Sequence, residues 1–168
     1  MFAWDVYNPK TACIQVLDLS NGAVRTIGTG TAQPVWLPDG RLVTGDSTAG
    51  LKVWDVGTGT NRLLRPTMTK PALYWLLLAS SDGRSIVYLQ EVSQTGVPSL
   101  LSVFDLATGT TREVASHGYR LTSCALDSSG AVLVTGDSAG VIRVGRLTGE
   151  DRAESALDEL FRGFCLGK

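Results

Sequence analysis

One stretch of this chain is written twice. Residues 41–55 read RLVTGDSTAGLKVWD, and residues 131–145 read AVLVTGDSAGVIRVG, one residue shorter at the turn. A divergent copy lies between them, from Arg84 to Asp105. Two further markers keep step. VLDLSNG (16–22), VWDVGTG (53–59), VFDLATG (103–109) and VGRLTG (144–149) each close an alternating segment with a turn. LPDGR (37–41), SSDGR (80–84) and DSSGA (127–131) precede the later copies. The period is about 40–50 residues, the size of one supersecondary unit that cannot bury its apolar face alone. Such units are stable only when stacked on one another.

The unit is made of short strands. Leu51-Lys52-Val53-Trp54-Asp55-Val56 alternates with period two, one side apolar and one wet. Asp-Gly, Ser-Gly and Thr-Gly between such runs are hairpin turns, because Gly accepts the backbone twist that tight hairpins require. The spacing predicts strands at 2–7, 12–18 and 23–27, then 32–37, 41–45, 51–56 and 61–65. It predicts four more at 72–79, 85–91, 100–105 and 111–115, and three at 120–126, 131–135 and 141–146. Only 18% of residues are charged and 43% are hydrophobic. Soluble domains average about 25% charged, so this balance suits a β-rich chain. The tail differs: Ala156, Leu157, Leu160 and Phe161 recur at helical spacing and predict a short amphipathic helix within residues 151–168.

On these residues the chain resembles the WD40-repeat β-propeller family. VWD at 53–55 is the family's signature, and VFD at 103–105 and VLD at 16–18 are variants of it. Ser116-His117-Gly118 stands where the family carries Gly-His, and GVIRVGRLTGE (140–150) is similar to repeats of large bacterial signalling proteins. The resemblance covers residues 1–150 and implies an all-β fold of four-stranded antiparallel blades, here a partial propeller. Two blades are complete, one lacks its inner strand and one its outer. In the family a His, a Ser or Thr, an Asp and the Trp form a buried hydrogen-bond network. Ala49 and Ala139 occupy the place of that Asp, and His117 is the only histidine. The network is therefore expected to be largely absent, with apolar packing in its stead.

Candidate chemistry is sparse. Gly136-Asp137-Ser138-Ala139-Gly140 satisfies the G-x-S-x-G pattern of serine hydrolases. That elbow needs a helix after the serine. Val141, Ile142 and Val144 instead form a strand pattern, so Ser138 is read as a turn residue. His117 is read as a blade-junction residue bonded to backbone or a nearby hydroxyl, against the alternatives of catalytic base or pH sensor. Asp18, Asp55 and Asp105 recur once per blade, which favours a scaffold role, and Asp39 and Asp82 are hairpin residues. Gly28-Thr29-Gly30 lacks the rest of a phosphate loop and reads as a turn. Trp4, Trp36, Trp54 and Trp75 are read as core. Cys13, Cys124 and Cys165 have neither pairing nor zinc spacing, which fits reduced thiols in a cytoplasmic protein.

No catalytic, cofactor-binding or metal-binding residue is assigned. A net charge of -1 and scattered basic residues give nucleic acid no footprint. The longest apolar run, 73–79, is far short of the ~20 residues that cross a bilayer. The expected function is a non-enzymatic, protein- or peptide-binding scaffold, with self-association through its open end blades. The alternatives are a propeller piece without independent role and a hydrolase using Ser138.

Overall fold

The computed structural model describes residues 1–6, 13–28, 34–46, 49–66, 72–92 and 99–147. These form fourteen strands in four antiparallel sheets. The first sheet holds β1 (Phe2–Val6), β2 (Cys13–Leu17) and β3 (Val24–Gly28). The second holds β4 (Val35–Trp36), β5 (Leu42–Asp46), β6 (Gly50–Trp54) and β7 (Asn61–Pro66). The third holds β8 (Ala72–Ala79), β9 (Ser85–Val92), β10 (Ser99–Asp105) and β11 (Thr111–His117). The fourth holds β12 (Leu121–Leu126), β13 (Val132–Asp137) and β14 (Ile142–Arg146).

Within each sheet the strands lie in chain order. The expected count of two complete and two three-stranded sheets is what the described residues show. The helix expected within 151–168 lies outside the described residues.

The sheets are copies down to their register. Val43 faces Val53, Val87 faces Val103, and Val134 faces Val144 in the middle strand pairs. The last strand of each of the first three sheets joins its neighbour with a bulge at one place, at Ile14/Gln15, Leu51/Lys52 and Leu101/Ser102. An extra residue there sharpens the local twist of the outer strand.

Alternation then decides the stacking order, because odd and even positions face opposite neighbours. Ile14 and Val16 of the first sheet meet Leu42, Trp54 and Val56 of the second. Leu51 and Val53 of the second meet Ile86, Tyr88 and Phe104 of the third. Val87, Leu101 and Val103 of the third meet Leu121 and Leu133 of the fourth. Each of these side chains is 5% exposed or less. Burial of one such side chain is worth about 1.5–3 kcal/mol, so the seams between sheets are where the fold is held.

Trp54 is the anchor of the first seam. It is 4% exposed, and Trp36 packs against the same cluster. The side chains of Trp4 and Trp75 lie outside the described residues. Gly28 allows the close approach: a Cβ there would lie 2.1 Å from the Trp54 ring. Gly28, expected in a turn, is instead the last residue of β3, paired with Ile14, and has a packing role there; Thr29 and Gly30 lie outside the described residues.

Candidate functional site

Ser138 sits in a hairpin turn. The amide of Gly140 donates to the Asp137 carbonyl at 3.0 Å, and the Asp137 amide donates to the Val141 carbonyl at 3.1 Å. The Asp137 carboxylate accepts the amides of Ala139 and Val141, each at 3.0 Å. The chain then enters β14, a strand. The Ser138 amide donates to the Arg120 carbonyl at 2.8 Å. No helix N-terminus stands behind the serine, so the elbow geometry is not built here.

His117 cannot serve that serine either. Its Nε2 lies 2.8 Å from the Thr135 hydroxyl and its Nδ1 lies 3.1 Å from the Asp137 carboxylate. Both ring nitrogens are thereby engaged, and the ring is 0% exposed. The hydroxyl partner expected for His117 is Thr135.

The expected loss of the buried network needs correction. Across the seam between the third and fourth sheets, His117 of β11 with Thr135 and Asp137 of β13 form three of its members. In the second sheet the indole of Trp54 donates to the Thr44 hydroxyl at 2.9 Å. Thr44 and Thr135 hold the same register position. One copy therefore keeps the Trp and lacks the His, and the other keeps the His and has Gly145 in place of the Trp.

The carboxylate was missed because it was sought at residue 139, just before the glycine. It comes from two residues earlier. Thr135 and Asp137 alternate along β13 and so point to the same side, towards His117. In the second sheet the equivalent Asp46 receives the Lys52 ammonium at 3.0 Å.

The other Asp residues cluster at one end of the array. Turns 37–41, 80–84 and 127–131 touch across sheets. Ser81 donates its hydroxyl to the Ser128 carbonyl, and Gly130 (φ 70°) lies so near Ser80 that a Cβ would come within 2.7 Å. The Leu106 and Leu147 amides donate to the Arg84 and Ala131 carbonyls at 2.8 and 2.6 Å. The Asp46–Gly50 pair and turn 137–141 lie at the opposite end, at the other ends of β5 and β13.

Every carboxylate on the first rim is held below the ordinary range by the turn it locks. The Thr58 and Thr108 amides are the leading cause for Asp55 and Asp105. The hydroxyls of Ser20, Ser80 and Ser129 lead for Asp18, Asp82 and Asp127. For Asp39 it is the Arg41 guanidinium. These groups are committed to local structure, as their recurrence implied. A depression of about 260 Å³ beside the first sheet includes Asp18 and Asn21, but both are spent on their own turn.

Cys13 and Cys124 are free and half-buried, while Cys165 lies outside the described residues. Burial pushes the Cys124 thiol up to about 11. Among the described residues no three His, Cys, Asp or Glu side chains converge as metal ligands do.

The remaining unusual surface is apolar. Val134 is 37% exposed and Ile142 is 55% exposed, diagonal to one another on the far face of the fourth sheet, Val134 opposite Val144 and Ile142 opposite Gly136. Val144 beside them is half-buried.

No protein-family model matches the chain, and no curated protein matches it. Solved structures do. TolB from Acinetobacter baumannii is 19% identical with a TM-score of 0.65, over 88% of this chain and 38% of its own. An oligogalacturonate lyase from Vibrio parahaemolyticus is 12% identical with a TM-score of 0.64, over 83% of this chain and 43% of its own. A chain of the mitotic checkpoint complex is 20% identical with a TM-score of 0.52, over 66% of this chain and 31% of its own. The chain therefore spans less than half the length of these structures. The likeness establishes the fold: β-propeller blades.

Proposed function

We propose that this chain is a non-enzymatic interaction scaffold made of WD40-like blades, acting by binding protein. The observation that carries this reading is the apolar far face of the fourth sheet, where Val134 and Ile142 stand in solvent. Its polar groups point the same way: Ser138, His117 and the six rim carboxylates are engaged in turns and seams. The partial networks at Thr44–Trp54 and His117–Thr135–Asp137 support the WD40-like assignment. The checkpoint-complex structure is itself an assembly of proteins, which fits a scaffold reading. A cytoplasmic location is part of this proposal, and the free Cys13 and Cys124 are compatible with it.

Cross-linking with mass readout tests the reading. Protein cross-links are expected at the fourth sheet and are expected to vanish in Ile142→Asp. Protein contacts insensitive to that change, or turnover of a small substrate by the purified chain, would refute it.

A further inference from the structure

The four sheets share one register, so each position can be followed through all of them. Leu51, Leu101 and Ile142 are equivalent, as are Val43, Val87 and Val134. Leu51, Leu101, Val43 and Val87 are all 0% exposed, because each faces the next sheet in order. Ile142 is 55% and Val134 37% exposed. The fourth sheet thus repeats a face that its sisters bury against a following sheet, and no described residue covers it.

The opposite end shows the converse. Leu19 follows Asp18 as Val56 follows Asp55, Leu106 follows Asp105 and Leu147 follows Arg146. Val56, Leu106 and Leu147 each pack against the preceding sheet. Leu19 is 68% exposed. The first sheet carries the residue that meets a preceding sheet, with none among the described residues to meet.

We infer that the fourth sheet of one copy docks on the first sheet of a second copy, Val134 and Ile142 against Leu19, continuing the seam already made three times within the chain. This rests on the interaction reading above and names its partner. Two copies of four sheets each supply eight, within the about 4–8 blades of closed propellers. A head-to-tail contact that closes in this way gives a finite ring rather than a filament.

Light scattering and sedimentation on the full chain test it. The wild type is expected at twice the chain mass. Leu19→Asp and Ile142→Asp are each expected at the monomer mass with unchanged circular dichroism, since both sites are exposed. Mixing the two variants is expected to restore a one-to-one dimer, because each retains the end that the other lacks.

A monomeric wild type overturns the inference, as does loss of the dimer in Ile142→Asp alone. Protection of Ile142 in a monomer, read by hydroxyl-radical footprinting, means the chain covers its own sheet and also overturns it. So does an Ile142-dependent complex with a different protein, but that result leaves the scaffold reading intact.

Discussion

The Nε2 of His117 lies 2.8 Å from the Thr135 hydroxyl, and this contact ties the outer strand of the third sheet to the middle strand of the fourth. His117 is 0% and Thr135 2% exposed, so the pair is shielded from water, and the Asp137 carboxylate holds the other ring nitrogen. Removing one partner strands the other. His117→Ala and Thr135→Val are each expected to cost about 1–3 kcal/mol. The double variant should cost clearly less than the sum, because both changes break one network. Urea unfolding of the four proteins measures this; additive losses would show the contact to be incidental.

Gly28→Ala is expected to destabilise by about 1–3 kcal/mol, the usual cost of overfilling a packed seam. Its Cβ would fall within 2.1 Å of the Trp54 ring. Trp54→Leu should relieve that clash. The alanine change should then cost much less in the Trp54→Leu background, read as a shift of the urea midpoint.

Acid should loosen the turns before the seams. Asp18, Asp55, Asp82, Asp105 and Asp127 all titrate below the ordinary 3.8 when folded. The unfolded chain therefore binds more protons in that range. Their contribution is complete above about pH 4 and is lost as pH falls through the lowered folded values. Thermal midpoints should stay level from pH 6 to about 5 and fall below about 4. Asp55→Asn with Asp105→Asn should flatten the fall; a midpoint constant to pH 2 would contradict it.

Ser138→Ala is expected to change stability by less than about 0.5 kcal/mol, as an exposed turn position whose backbone makes the bonds. A covalent serine probe should not label residue 138 in the wild type. Labelling that disappears in the alanine variant would reopen the hydrolase alternative.

With its thiol at about 11, Cys124 should resist alkylation in the native chain. At pH 8 its thiolate fraction is on the order of one in a thousand, against roughly a quarter for a free cysteine. Iodoacetamide followed by peptide mapping should find residue 124 unmodified until denaturant is added.

Most of this architecture was legible in the sequence. Apart from the start of β4, predicted at residue 32 and observed at Val35, strand edges fall within a residue or two of where alternation and Gly turns place them, because hairpin chemistry is local. Ser138 was legible too, since Val141, Ile142 and Val144 announce a strand. The His117 network was not. Its carboxylate comes from Asp137, two residues before the expected place, and only the face shared by Thr135 and Asp137 brings it to the ring. The docking face was half legible: the equivalence of Leu51 and Ile142 is in the letters, but their opposite exposures are not.

The sequence alone determined what each unit is, four runs of period-two strands joined by Asp- and Gly-bearing turns, because backbone conformation and side alternation depend on near neighbours. Only the tertiary structure decided which sides are covered. Burial depends on what stacks next to a sheet, and identical letters are sealed between sheets at residue 43 and left in water at residue 134.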